Sequence, residues 1–152
     1  MSRVRKSATF AAAAVALVGA WEGLQFAAYR DIVGVLTICY GDTKNVRAGQ
    51  VATKAECDRR LLEQLVAHEN GMLTCVRPDL PDGPHLAFLS LTYNIGVGAF
   101  CKSTLVRKAN AGDLRGACEE LKKFTRAGGS IIRGLILRRD AEHEICIEGL
   151  RA

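Results

Sequence analysis

The sequence is short of several things. Aromatic residues make up only 6% of its 152 positions, with one Trp, and there are three prolines. No stretch reaches the roughly 20 consecutive apolar residues of a stable membrane span. No two cysteines stand at the CxxC spacing of a zinc ribbon or a thioredoxin-like redox site, which argues against both roles. His68, His85 and His143 are scattered and form no ligand set. No segment repeats internally, and none is of low complexity after the first twenty residues, which excludes a solenoid or a disordered linker protein. The net charge is +5, but Arg3, Arg5 and Lys6 supply three of those charges and leave +2 for the rest. That is too little for a nucleic-acid binder and suits a mildly anionic wall or membrane surface.

What is present is ordinary globular composition, 49% apolar and 24% charged, enough for one domain or two small lobes sharing a long element. Six cysteines, at 39, 57, 75, 101, 118 and 146, are many for this length. An even count favours disulfides and an oxidising compartment, with buried free thiols as the alternative. Of the fifteen possible connectivities, Cys118 with Cys146 is preferred, because both fall in neighbouring C-terminal helices.

Residues 1–21 carry three basic residues and then a small-apolar run from Ala8 to Trp21. This reads as a secretory signal. Val18-Gly19-Ala20 could serve as a cleavage site, and a buried first helix of a globular body is the other reading. From Phe10 to Ala20 there is no polar side chain at any helical phase, whereas a surface helix shows one. A weak, uncleaved signal anchor is therefore expected, with its basic start held inside. Between Gln25 and Val51, β-branched residues bounded by Gly34, Gly41 and Gly49 predict a small hairpin or three-stranded sheet. Thr53-Lys54-Ala55-Glu56 is a capping box opening a helix to about Leu73. Pro78, Pro81, Gly83 and Pro84 punctuate a connection, followed by helical stretches near 84–95, 103–111, 113–126 and 131–149. Gly128-Gly129 reads as a break before the last of these. Arg138 and Arg139 stand at pairing distance from Glu142 along that helix.

Glu22 is the first acid after the apolar helix, beside Trp21 and close to Leu24 and Phe26. A carboxyl in such surroundings is desolvated and favours its neutral form, which can donate a proton to a leaving group. Asp31 opens the β region and Thr37 follows on its strand, so an acid could face a carboxylate and a hydroxyl across one scissile bond. Spacing alone also permits a helix-end charge, a turn former and a strand filler.

The residues themselves say more. Glu22-Gly23-Leu24, Tyr29-Arg30-Asp31-Ile32-Val33-Gly34 and Thr37-Ile38-Cys39-Tyr40-Gly41 closely resemble the start of the phage lysozyme family, glycoside hydrolase family 24. The family's Glu, eight residues, Asp, five residues, Thr pattern falls on Glu22, Asp31 and Thr37 without a gap. The resemblance continues through Asn94-Ile95-Gly96, Ser103-Thr104-Leu105, Asn110-Ala111-Gly112-Asp113, Gly128-Gly129, Gly134-Leu135, Arg138-Arg139 and Glu142. The apolar leader is similar to that of the signal-arrest-release endolysins within this family. The sequence departs from the family at Asp42, where His is usual, which alters local ion pairing, and at Phe124, where Trp is usual, with loss of an indole N–H.

The resemblance implies a two-lobed α+β lysozyme-like fold: a small β-sheet lobe and a larger helical lobe joined by a long helix, preceded by an apolar N-terminal helix. It implies a signal anchor over 1–21 and a catalytic domain over 22–152, with peptidoglycan held between the lobes. Glu22 would be the general acid on the bond between N-acetylmuramic acid and N-acetylglucosamine, with Asp31 and Thr37 orienting the attacking water. No metal or cofactor is implied. The implied partners are peptidoglycan, the host secretion machinery and the host inner membrane, where the chain would wait tethered before release to the periplasm. With no cysteine in the leader, activation is expected to follow release rather than thiol exchange. A monomer is the default. A lytic transglycosylase, which would not need Asp31, and a non-enzymatic membrane- or wall-disrupting protein are the alternatives.

Overall fold

The computed structural model describes residues 2–151, which form two compact units, one of residues 3–66 and the other of Ser2 with 67–151.

In the first unit, α1 (Arg3–Lys6) leads into α2 (Ala8–Glu22). The Ser7 hydroxyl caps α2 by accepting from the Phe10 amide at 3.1 Å, and Gly23, at φ 65°, ends it. Although its sequence has no polar face, α2 is packed along one stripe only. Phe10, Ala14 and Val18, four residues apart, are buried, while Ala12, Ala16 and Ala20 face outward. Gly19 allows close approach, since a Cβ there would stand 3.1 Å from the Tyr40 ring. No helix among the described residues is long and apolar enough to cross a membrane.

The β region is a two-stranded antiparallel hairpin, β1 (Gln25–Arg30) with β2 (Leu36–Cys39), irregular between Gln25 and Tyr29. The chain around Val51 bridges to Ala27 and extends the pairing without forming a third full strand. Cys39, at the end of β2, is bonded to Cys57 on α3 (Lys54–Leu73). The start of α3 follows the predicted cap, with the Glu56 amide donating to Thr53 Oγ1 at 3.1 Å. The Glu56 carboxylate turns instead toward Arg59 and Arg60. Asp42 forms the ion pairing that its departure from the family pattern implied. Its carboxylate accepts from Arg60 Nη1 at 2.8 Å and from Gln64 Nε2 at 2.7 Å, tying the loop after β2 to α3.

In the second unit, α4 (Asp82–Ile95) is buried along most of its length, with Ala87, Phe88, Leu89 and Leu91 fully enclosed. It crosses α8 (Arg133–Glu148) at glycine, because a Cβ on Gly83 would lie 2.5 Å from the Ile145 carbonyl. Around this pair lie α5 (Val97–Cys101), α6 (Thr104–Asn110) and α7 (Leu114–Glu120), the last running into a 3₁₀ turn over Leu121–Lys123. Cys75–Cys101 and the expected Cys118–Cys146 close this unit. Gly128-Gly129 is the turn of a small hairpin, β3 (Arg126–Ala127) with β4 (Ser130–Ile131), rather than a plain helix break. Arg138 and Arg139 are buried on Glu142, with Arg139 Nε at 2.6 Å from one carboxylate oxygen and Ser90 donating to the other. Burial pushes the Glu142 carboxyl above its usual range, against the pull of the Arg139 charge.

Candidate active site

Glu22, Asp31 and Thr37 all fall in the unit of residues 3–66. Glu22 is the last residue of α2, and only Gly23 and Leu24 separate it from β1. It is half-buried. Its apolar enclosure is looser than expected, because Trp21 and Phe26 beside it are 37% and 44% exposed.

Asp31 is fixed by the turn that it begins. Its Oδ1 accepts from the Val33 amide at 3.0 Å and the Val35 amide at 2.8 Å. Its own amide donates to the Val35 carbonyl at 2.9 Å, and its carbonyl accepts from Gly34 at 2.9 Å. Gly34, at φ 85°, supplies the left-handed residue this closure needs. Arg30 Nη1 closes the turn from outside by donating to the Gly34 carbonyl at 2.9 Å. No bond within the described residues engages Asp31 Oδ2.

Thr37 stands opposite Tyr29 on β2 and is 4% exposed. Its hydroxyl donates to the Val35 carbonyl at 2.9 Å. Val35 is therefore a hub: its amide holds the Asp31 side chain, and its carbonyl accepts from both the Asp31 amide and the Thr37 hydroxyl. The proton of Thr37 is committed inward, so its lone pairs are what remains for a ligand. Sequence reading missed Val35 because its contribution is entirely main-chain. The signal available was Gly34, one residue earlier.

Chemically, a helix-end carboxyl and a carboxylate held at one oxygen in a hairpin supply an acid and a site for water. No group of His, Cys, Asp or Glu among the described residues is arranged to hold a metal ion. A cavity of about 650 Å³ between the outward face of α2 and Lys54, Asp58 and Leu62 of α3 is not lined by Glu22, Asp31 or Thr37.

A capped helix ending in an acid, a short hairpin, a long helix and a helical remainder define the lysozyme-like class. The phage lysozyme family model matches residues 19–142, and the chain belongs to that family. The signal-arrest-release (SAR) endolysin of Enterobacteria phage P21 is 43% identical over 129 residues, covering 84% of this chain and 78% of that one. Among solved structures, a P22 lysozyme variant superposes with a TM-score of 0.83 at 28% identity, over 93% of this chain and 97% of its own. The active form of the P1 phage endolysin Lyz superposes at 0.80 with 26% identity, over 91% and 84%. The chain is thus a peptidoglycan-hydrolysing enzyme of the phage endolysin type.

Proposed function

We propose that the enzyme is an N-acetylmuramidase, hydrolysing the β-1,4 bond between N-acetylmuramic acid and N-acetylglucosamine in the host wall. Glu22 protonates the glycosidic oxygen as the bond breaks. Water attacks the anomeric carbon from the other side and passes its proton to Asp31, with inversion. The observation that carries this reading is the Val35 hub. It leaves Asp31 Oδ2 to accept one hydrogen of the water and the Thr37 oxygen to accept the other, which turns the water's lone pair outward. Thr37 touches solvent over little of its surface, so Asp31 has the main hold. No step needs a metal or cofactor, and the enzyme acts as a monomer.

The N-terminal 21 residues serve as a signal anchor and residues 22–152 as the catalytic part. The host secretion machinery exports the chain, which waits tethered to the inner membrane and becomes active on release into the periplasm. Supporting this are the basic start, the apolar run and the SAR-endolysin relatives. Glu22 is the last residue of the helix built from that run, so its position depends on where the helix lies. While the helix is in lipid, Glu22 sits at the bilayer surface and cannot face Asp31.

The test is lysis of outer-membrane-permeabilised Gram-negative cells, with analysis of the released ends. Wild type is expected to leave reducing N-acetylmuramic acid ends, and folded Glu22→Gln and Asp31→Asn to be inactive. Anhydro-muramic ends with an active Asp31→Asn would mean a transglycosylase. Undiminished lysis by Glu22→Gln would mean killing by the leader.

A further inference from the structure

The beginning of the chain is bound at a place the reaction does not use. Ser2 is 7% exposed, and its hydroxyl donates to Glu69 Oε2 at 2.7 Å. Glu69 is fully buried on α3, and its other oxygen meets His85 Nε2 of α4 at 2.9 Å. His85 is 2% exposed. The three form a buried polar chain, Ser2 to Glu69 to His85, in the unit of Ser2 with 67–151. Close by in sequence, Val4 is buried and the Arg3 guanidinium lies 5.8 Å from the centre of the Phe10 ring. Ser2 and Val4 are therefore packed parts of the molecule, while Arg5 and Lys6 stay exposed.

A carboxylate taken wholly out of water is costly unless its oxygens are met by donors. Ser2 meets one oxygen of Glu69 and His85 the other. Ser2 precedes the apolar run, however, whereas Glu69 follows it. A leader held across the bilayer keeps the two on opposite sides of a hydrocarbon layer about 30 Å thick. The Ser2–Glu69 bond and the tethered state exclude each other.

We infer that Ser2 and the buried Glu69–His85 pair form a latch, which closes only once the leader has left the bilayer and then holds the arm against return to the membrane surface. The inference rests on the tethered reading given above. Because the bond exists in one state and not the other, its whole free energy biases the equilibrium toward the released form. A charge-assisted bond to a buried carboxylate shifts such a balance by about tenfold or more.

The experiment uses the full chain and vesicles of phosphatidylethanolamine and phosphatidylglycerol, below the melting temperature of every variant. The ratio of vesicle-bound to free protein is measured for wild type, Ser2→Ala and Ser2→Thr. Ser2→Ala is expected to raise the ratio about tenfold, and Ser2→Thr, which keeps the hydroxyl, to stay near wild type. A bond that only stabilises the fold would lower the melting temperature and leave the ratio unchanged; that result overturns the latch. Fractionation of expressing cells separates the two ideas. Wild type found first in the membrane and later soluble, with Ser2→Ala released and retained alike, overturns the latch alone. Wild type never recovered with the inner membrane overturns the tethered reading and the latch with it.

Discussion

Replacing Asp31 separates its chemistry from its part in the hairpin. In Asp31→Asn the amide oxygen can take the place of Oδ1 and accept from the Val33 and Val35 amides, now at 3.0 and 2.8 Å. The turn survives, and an NH₂ donor replaces the Oδ2 that the proposed mechanism gives to the water. Asp31→Ala loses both bonds. At about 0.5–1.5 kcal/mol for each bond, that is about 1–3 kcal/mol, or a fall in melting temperature of about 3–8 °C. The Asn variant should melt within about 2 °C of wild type. Lysis should fall by about two to four orders of magnitude in both, because neither can accept the water's proton. Turbidity clearing of permeabilised cells and thermal unfolding by circular dichroism measure the two effects separately. An Asn variant that clears cells within about threefold of wild type, well short of a general base's usual contribution, would refute Asp31 as the group activating water. One that melts as low as the Ala variant would refute the account of the turn.

Three further outcomes follow from other contacts. Asp42→Ala removes the nearer carboxylate of Arg60, only 11% exposed, leaving Glu56 at 3.7 Å and the Lys44 carbonyl at 2.7 Å, and should destabilise the protein by about 1–3 kcal/mol in urea unfolding. Lys108 and Lys123 hydrogen-bond Glu120 and hold its carboxyl below the ordinary value of 4.5. The folded value lies under the unfolded one, so this stabilisation is complete above pH about 4.5 and is lost as pH falls through the folded value. Melting curves should therefore converge between wild type and Glu120→Gln below that pH; a gap that persists at pH 2 would contradict it. Cys75–Cys101 is half-buried beside a cavity of about 520 Å³, whereas Cys39, Cys57, Cys118 and Cys146 are fully buried. Mild reductant followed by alkylation and mass spectrometry should label Cys75 and Cys101 first.

The parts legible in the sequence were those governed by neighbouring residues. Thr53 and Glu56 announced α3, Gly34 marked the hairpin turn, and helical spacing brought Arg138, Arg139 and Glu142 together. Cys118–Cys146 followed from placing both residues on adjacent helices. The parts not legible depend on residues far apart in the chain. Nothing around His85 signals that Glu69, sixteen residues earlier, meets it in the core, or that Ser2 joins them across 67 positions. The leader was ambiguous because Ala and Gly suit lipid and close packing equally. Its buried stripe at Phe10, Ala14 and Val18 arises from what packs on it, and no polar face marks it in the sequence. Of the candidate site, Glu22, Asp31 and Thr37 were named from residue types, but the Val35 carbonyl could not be, since any residue there provides one.

The Asp31 turn also bears on timing. The side-chain bonds of Asp31 and Thr37 all lie between residues 31 and 37, so this arm is specified largely by contacts of short range. Hairpins close in about 1–10 μs, and here the bridge from Ala27 to Val51 and the Cys39–Cys57 bond tie the two strands to the chain beyond. Glu22, by contrast, is carried by a helix whose buried face must find its seat. Under the proposed release from the membrane, the Asp31 turn can form before the leader leaves, and the helix that carries Glu22 is the part still to be seated.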